Sequence, residues 1–339
     1  MKKNNSTTFD KGRLVYMNGE YVPEKDAKIS IFDSALMFGD MVFEMTRSFN
    51  KKQFKLKEHI QRLFYGIKIY RIPMKLTEKE LEHICYETIE KNEPFFNDTD
   101  EHRLMINVSR GPLGIYAPIF DNRLESTVVV ADFPLKWTVA YMAPLYDEGV
   151  NAVLVNQRAI PAHLADPKIK NRSRVFYQMA NIEASMFRGK NNWALLMGTD
   201  GFIAEGSGDN FFIIKDGVVI TPEGRDCLVG ISRNYVFELC EQLKIKCIER
   251  NIEPYHIYTA DEAFMTGTPF AILPVFRFNE TPVGDGKFGK ITKILIDKWS
   301  ENVGVNIIDQ IRHYGKECES LNSNKAPTPY QFSSQDSPT

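Results

Sequence analysis

Asp200-Gly-Phe-Ile-Ala-Glu205-Gly-Ser-Gly-Asp-Asn210-Phe-Phe-Ile-Ile214 is the segment that says most about this chain. Glu205 lies at the end of a strand-like run, and a Gly-Ser-Gly turn separates it from a second, strongly apolar strand. An acid at such a position requires a cationic partner, because a buried charge without one is costly. The segment therefore predicts two neighbouring strands with a carboxylate at the turn between them.

The cationic candidate lies thirty-five residues upstream, in Asp166-Pro-Lys-Ile-Lys170-Asn-Arg-Ser-Arg174. This stretch ends where a helical pattern begins, so Lys170 and Glu205 could reach one pocket from two directions. A lysine amine and an acid so arranged indicate an aldehyde cofactor held as a Schiff base, with the acid facing a ring nitrogen. Lys168 is the alternative lysine, and on composition alone either one would be a solvated surface charge.

The composition predicts a globular chain of about two domains. Its 339 residues are 43% apolar and 25% charged, which is enough to bury a substantial core. The 42 Lys and Arg nearly balance the 44 Asp and Glu, so no overall field favours nucleic acid or an anionic membrane. No apolar run is long enough to cross a bilayer. We therefore expect neither a nucleic-acid partner nor a membrane.

The cysteines and histidines restrict compartment and metal content. The five cysteines are odd in number and form no C-x-x-C pair, which is typical of free thiols in a reducing compartment. The polar start of the chain lacks the apolar core of a signal peptide, so we expect the cytoplasm. The six histidines are scattered without metal-ligand spacing, so we expect no metal site.

Local patterns predict most of the regular structure. Asn18-Gly19 predicts a hairpin turn, residues 57–71 show helical spacing, and Thr77-Glu-Lys-Glu80 is a capping box. Further strands are predicted at 104–109, 126–133, 151–157 and 193–221, and further helices at 174–189, 232–244 and 291–302. The predicted organisation is a flexible N-terminus 1–12, a small domain 13–133, an interdomain loop 134–144, a large domain 145–315 and a disordered tail 316–339.

Six separated motifs give the chain a family resemblance. They are Phe38-Gly-Asp-Met-Val-Phe-Glu44, Lys57-Glu-His-Ile-Gln-Arg62-Leu63, Ile169-Lys170, residues 201–211, Leu228-Val-Gly-Ile-Ser-Arg233 and Asp261-Glu-Ala-Phe-Met-Thr-Gly-Thr268. In this order they resemble the class IV, or fold type IV, pyridoxal-phosphate aminotransferases. That family includes branched-chain and D-amino-acid aminotransferases and aminodeoxychorismate lyase. The resemblance extends from about Tyr16 to about Trp299.

The resemblance implies a fold and a reaction. The expected fold is α+β or α/β with two domains, a small N-terminal one and a larger one with a mixed, barrel-like sheet and helices. The expected cofactor is pyridoxal 5'-phosphate, which holds the amino group as it passes from an amino acid or amine donor to a 2-oxo acid acceptor. The resemblance also implies a homodimer or a higher homo-oligomer.

The resemblance assigns roles to the cofactor residues. Lys170, at the opening of a helix, would form the Schiff base and then move a proton between the substrate and the cofactor. Glu205 would keep the ring nitrogen protonated, because a pyridinium withdraws electrons better than a neutral pyridine. The expected phosphate contacts come from amide turns before or within the motifs and from one arginine. These residues are Gly230, Ile231, Ser232, Gly267, Thr268 and Arg62.

The chain departs from the family pattern among the residues expected to contact substrate. Ser173 and Arg174 stand where relatives usually carry Asn and Tyr, and an Arg at the second position is similar to the lyase. Pro269 follows Thr268 and has no amide hydrogen to offer a substrate carboxylate. Another cation is therefore expected to hold the carboxylate, for which Arg103, Arg110 and Arg174 are the candidates. Phe43 is a candidate contact for a hydrophobic substrate side chain, although a place in the core would explain it equally well.

Three reactions and one decoy remain to be weighed. A branched-chain or other hydrophobic amino acid is the first expectation for the donor. The alternatives are an aminodeoxychorismate lyase, a D-amino-acid or amine transaminase, and a cofactor-binding protein without turnover. Gly284-Asp-Gly286-Lys-Phe-Gly289 matches a dinucleotide-binding pattern, but no buried strand precedes it, so we set it aside.

Overall fold

The structure is a computed structural model that describes residues 12–319. The chain divides into two compact units. The first contains the described residues up to Leu135 together with Ile169–Ser173, and the second contains Lys136–Lys168 and the described residues from Arg174 onward. The predicted flexible N-terminus 1–12, apart from Gly12, lies outside the described residues, as does the predicted tail from residue 320.

The regular elements are as follows. The strands are β1 (Leu14–Met17), β2 (Glu20–Pro23), β3 (Met41–Met45), β4 (Ser48–Phe49), β5 (Lys52–Gln53), β6 (His102–Ser109), β7 (Thr127–Pro134), β8 (Val150–Arg158), β9 (Asn192–Met197), β10 (Ile203–Gly206), β11 (Asn210–Lys215), β12 (Val218–Thr221), β13 (Cys247–Glu249), β14 (Glu262–Gly267), β15 (Ala271–Phe278) and β16 (Thr281–Pro282). The helices are α1 (Ser34–Phe38), α2 (Leu56–Tyr70), α3 (Glu78–Asn92), α4 (Lys136–Val139), α5 (Leu145–Glu148), α6 (Val175–Ser185), α7 (Ile231–Leu243), α8 (Pro254–Tyr258), α9 (Lys290–Val303) and α10 (Ile307–Glu317).

The first unit is built on a five-stranded antiparallel sheet in the order β2-β1-β7-β6-β3. The predicted hairpin is confirmed, with β1 and β2 paired on either side of Asn18 and Gly19. Both turn residues have positive φ, 49° and 98°, which is the conformation that a two-residue hairpin of this kind requires.

Two helices cover one face of this sheet. α2 begins one residue before the predicted helix and ends before Pro73, and its Ile60, Leu63 and Ile67 are buried in the core. Each such side chain contributes about 1.5–3 kcal/mol by leaving water. The predicted capping box is also confirmed, since the Thr77 hydroxyl accepts from the Glu80 amide and the Glu80 carboxylate accepts from the Thr77 amide.

The Lys170 segment is not part of a helix, and the expectation that it opens one was wrong. The amide of Phe43 donates to the Lys170 carbonyl, and the Arg172 amide donates to the Met41 carbonyl, each at 2.9 Å. Val42 and Asn171 form the antiparallel bridge between these two bonds. The segment is therefore held as an extended strand along β3, and the helical pattern starts only at α6.

The second unit contains a mixed nine-stranded sheet. Its main path is β10-β9-β8-β15-β14-β11-β12-β13, with β16 paired to β15, and the β8–β9, β8–β15 and β12–β13 pairs are parallel. α6 packs on β8 and β9, where Ala180 and Ala184 meet Val153, Val155 and Leu196. Small alanines let the helix approach the sheet closely, which fixes the orientation of the other side chains on α6.

Two segments near the predicted boundaries differ from expectation. Residues 134–144, expected as a loop, contain the short helix α4 with Val139 buried. α10 was not predicted, although Ile307, Ile311 and Tyr314 repeat at helical spacing and are buried. This helix extends through Glu317, whose carboxylate lies 2.8 Å from the Lys136 ammonium.

The glycines of the dinucleotide-like pattern have structural roles. A Cβ at Gly289, the N-cap of α9, would collide with the Glu262 carboxylate. That carboxylate accepts hydrogen bonds from the amides of Ile291 and Thr292, so the start of α9 is already capped by the chain's own acid. Across residues 12–319, no helix combines the length and apolar character needed to cross a membrane.

Candidate active site

The Glu205 carboxylate is buried and held by two hydrogen-bond donors in the second unit. The Tyr177 hydroxyl donates to Oε1, and the Leu228 amide donates to Oε2 at 2.9 Å. β10 has an irregular register against β9 at this residue, and such irregularities re-aim side chains. Burial and the Glu205 carboxylate raise the pKa of Tyr177 well above its ordinary value, so the phenol keeps its proton and remains a donor.

Asn210 joins the turn after Glu205 to the start of α7. Its side-chain amide donates to the Leu228 carbonyl at 2.8 Å, and a Cβ at Gly230 would collide with its side-chain oxygen. Gly230 is the N-cap of α7 and has no side chain with which to cap the first-turn amides. Ser232, in that first turn, is buried. The N-terminus of this 13-residue helix thus offers amide hydrogens, a hydroxyl and the positive end of the helix dipole.

The second predicted amide turn lies on the strand next to Asn210. Asn210 pairs with Thr266 in the β11–β14 ladder, and Gly267 and Thr268 follow directly. A Cβ at Gly267 would lie 2.8 Å from the Phe270 ring, so a larger residue would displace the turn. The structure therefore brings together, within the second unit, the predicted residues Glu205, Gly230, Ile231, Ser232, Gly267 and Thr268.

Asp209 is a buried acid in this cluster that the sequence analysis missed. Its side chain is 8% exposed, and within residues 12–319 its Oδ1 has no hydrogen-bond partner. Burial and the nearby Glu205 carboxylate raise the pKa of Asp209 well above its ordinary value. A second anion beside Glu205 would be unfavourable, so Asp209 is favoured as the neutral acid.

Replacing Asp209 with asparagine should stabilise the protein at neutral pH. A raised pKa in the folded state means that the stability associated with Asp209 is present below about pH 4 and is lost as the pH rises through the folded pKa. Asp209→Asn cannot ionise, so its free energy of unfolding should exceed that of the wild type increasingly above pH 4. Urea unfolding from pH 4 to 8 measures the difference, and a constant difference across that range would contradict the assignment.

Lys170 lies on the face of the first unit's sheet opposite the helices. Its neighbours Ile169 and Val42 point into the core beneath α2. Side chains alternate along an extended chain, so Lys170 points the other way, and its Nζ lies 4.8 Å from the centroid of the Phe43 ring. Lys168 belongs to the second unit, where it is paired with Asp166 at 2.8 Å and is 43% exposed.

Arg62 lies beside a buried acid in the first unit. Two of its nitrogens donate to the two oxygens of Glu44, at 2.6 and 2.8 Å, and His59 Nδ1 also contacts Glu44 at 2.7 Å. Burial alone would raise the pKa of Glu44, but the positive charge of Arg62 and the hydrogen bond from His59 hold it well below its ordinary value. Burial lowers the pKa of His59, so a neutral ring donates this bond. Arg62 is therefore fixed in orientation rather than solvated.

The predicted substrate contacts are separated by the structure. Arg110 is engaged with Asp40 at 2.6 Å and with the carbonyls of Tyr70 and Arg71. Arg174, in the second unit, donates to the Ser207 carbonyl at 2.7 Å and lies over the Tyr177 ring.

Arg103 and Phe43 are buried in the first unit, and Pro269 lies in the turn between β14 and β15. Five residues with evident roles in these clusters had no role in the sequence analysis. They are Asn107, Arg172, Tyr177, Asp209 and Leu228.

Comparison with known proteins agrees with this geometry. Residues 41–278 match the family model described as amino-transferase class IV. A candidate branched-chain-amino-acid aminotransferase of Methanocaldococcus jannaschii is 35% identical over 304 residues, covering 87% of this chain and 99% of that protein.

Solved structures of the branched-chain amino acid aminotransferase from T.th. are also similar. With pyridoxamine 5'-phosphate the TM-score is 0.76, and with 4-methylvaleric acid it is 0.74; both are 28% identical and cover 87% of this chain and 95% of that one.

The chain belongs to the class IV aminotransferases. The fold-class prediction, fold type IV with mixed α and β structure, is confirmed by these structural neighbours. The family resemblance inferred from the six motifs is confirmed as well.

Proposed function

We propose that this aminotransferase exchanges the amino group of a branched-chain or similarly hydrophobic amino acid with a 2-oxo acid, using Lys170 and Glu205 on pyridoxal 5'-phosphate. The observation that carries the proposal is the buried Glu205 carboxylate, held by Tyr177 and Leu228 next to the glycine-capped start of α7. An acid and an anion site joined by one side chain, Asn210, suit a cofactor that has a basic ring nitrogen and a phosphate.

The residues present fit this cofactor. Glu205 is a low-exposure anion that can face a protonated nitrogen, and Gly230, Ile231, Ser232, Gly267 and Thr268 supply amides and hydroxyls for a phosphate. Arg62 supplies the positive charge, pre-oriented by Glu44. When bound, pyridoxal phosphate supplies an aldehyde that links to amines and a ring that accepts electrons from the carbon beside the nitrogen.

Lys170 has two tasks under this proposal. Its amine first anchors the cofactor covalently and is then released when the substrate amine takes its place. The released amine takes the proton from the substrate's alpha carbon and delivers it to the neighbouring carbon, which is acid–base work by one group. The hydrogen bonds of the segment to β3 fix the backbone from which Lys170 extends, so the amine returns to one position.

The substrate proposal is supported by relatives and by the residues near Lys170. The related structures include one with 4-methylvaleric acid, which is a branched aliphatic carboxylate without an amine. In this chain Phe43 and Met41 lie on β3, paired with the Lys170 segment, and provide apolar surface.

A homodimer in the cytoplasm is part of the proposal. The first unit exposes large apolar side chains around α1 and the following 3-10 segment, with Ile31 69%, Phe38 67% and Ile115 77% exposed. Such patches mark protein interaction surfaces. All five cysteines are free, which is consistent with a reducing compartment.

Conversion of the bound cofactor by amino acids tests the function. Leucine, valine or isoleucine should convert bound pyridoxal phosphate to pyridoxamine phosphate, and the matching 2-oxo acids should reverse the change. The spectrum of the purified protein measures both half-reactions. Release of pyruvate from aminodeoxychorismate without conversion would instead support the lyase, and a chromophore that responds to no donor would support a binding protein.

A further inference from the structure

Arg172 lies on the same side of the extended segment as Lys170. The two residues are separated by Asn171, which points towards the core side together with Val42, and alternation places Lys170 and Arg172 on the opposite face. Both contact one aromatic ring: the Arg172 guanidinium carbon lies 3.6 Å from the Phe43 centroid, and Lys170 Nζ lies 4.8 Å from it. A second cation is therefore within reach of any molecule that bonds to Lys170.

Asn107 orients this guanidinium. It lies on β6 directly opposite Phe43, and its side-chain oxygen accepts from Nε and Nη2 of Arg172 at 3.2 and 2.8 Å. The partner in these two bonds is a neutral amide, so they fix the plane of the guanidinium without cancelling its charge. The Phe43 ring beneath it adds a planar support that suits arginine better than lysine.

A substrate carboxylate needs such a cation. Pro269 provides no amide hydrogen in the turn after Thr268. Among the arginines expected to compensate, Arg110 is engaged by Asp40 and two carbonyls, and Arg174 belongs to the other unit, where it binds Ser207. Arg172 is the arginine whose place on the segment follows that of the reacting amine.

We propose that Arg172, oriented by Asn107, binds the carboxylate that the amino-acid donor and the 2-oxo acid acceptor share. The inference rests on the proposed function, since it takes Lys170 as the site of the reaction. Arginine's fork matches a carboxylate with two parallel hydrogen bonds, so acids are favoured over amines and amides of the same size. Loss of a charge-assisted pair of this kind weakens binding by about 10- to 100-fold.

Binding of an unreactive acid tests this assignment apart from turnover. 4-Methylvalerate and its neutral amide, 4-methylpentanamide, differ only in the carboxylate, and calorimetric titration of the holoenzyme measures both. The wild type should bind the acid more tightly, and Arg172→Gln should weaken the acid about 10- to 100-fold while leaving the amide unchanged. Arg123→Gln, at an exposed arginine of the same unit, is the matched control and should retain the preference.

Further variants separate binding from folding. Arg172→Lys keeps the charge and should lose part of the preference, whereas Asn107→Asp keeps the arginine but neutralises it and should weaken the acid alone. The cofactor spectrum of each variant reports that the fold is intact. The inference is overturned if Arg172→Gln and Asn107→Asp both keep the preference for acid over amide. The proposed function fails separately, if the wild-type chromophore responds to no amino acid.

Discussion

Replacement of Lys170 by alanine is expected to abolish the borohydride-reducible link to pyridoxal phosphate and to reduce transamination by at least about 10³-fold, because one amine serves as anchor and as acid–base group. The Glu205 carboxylate and the α7 N-terminus are untouched by this change, so the variant should still bind the cofactor reversibly. Mass spectrometry after borohydride reduction measures the link, and single-turnover kinetics with leucine measures the rate.

Lys168→Ala is the matched control, because it removes a lysine two residues away whose ammonium pairs with Asp166 on the surface of the second unit. It should keep both the link and the rate. A normal reducible link in Lys170→Ala would move the assignment to another lysine. Equal loss in the two variants would show that the segment, rather than the amine at Lys170, is what matters.

Local signals explain how much of the fold was predictable. The Asn18–Gly19 turn, the Thr77 capping box and the apolar face of α2 depend on residues within one or two turns of each other, and each was found where expected. α10 carries the same kind of signal in its isoleucines, which repeat at helical spacing and are buried, although this helix was not predicted.

The Lys170 segment shows what local signals cannot provide. Its conformation is set by hydrogen bonds to Met41 and Phe43, more than 120 residues earlier in the chain, and no periodicity within 166–174 reveals that partner. Because the segment is a strand, side chains alternate, and Arg172 is placed with Lys170 rather than a turn of helix away from it. The carboxylate candidate that the structure favours was therefore hidden by a wrong local assignment.

The environment of Glu205 was equally inaccessible. The sequence identified the acid, but the donors that hold it come from α6 and from the loop before α7, at Tyr177 and Leu228. One is a backbone amide, which every residue except proline has, so its position cannot be inferred from residue type. Burial of Asp209 beside it likewise depends on how the turn folds back, with the Gly206 amide bonded to the Asp209 carbonyl.

Replacement of Glu205 by glutamine should leave the cofactor bound but lower kcat by about 10²- to 10³-fold. The carboxylate accepts from Tyr177 on one oxygen and from Leu228 on the other, and a protonated ring nitrogen needs its negative charge. An amide supplies neither the charge nor a second acceptor, so one donor loses its partner and the nitrogen loses its proton. Stopped-flow absorbance with leucine measures the rate, and the retained spectrum reports binding.

A control variant and a modified cofactor make this prediction specific. Glu183→Gln alters a carboxylate of α6 that accepts from the Asn156 and Gln157 amides, and it should affect stability with little change in kcat. A cofactor analogue with a C–H group in place of the ring nitrogen removes the partner proposed for Glu205, so wild type and Glu205→Gln should then react at the same low rate. If Glu205→Gln still lowers the rate by the same factor with the analogue, the carboxylate acts by holding Tyr177 and Leu228 in place and not through the nitrogen.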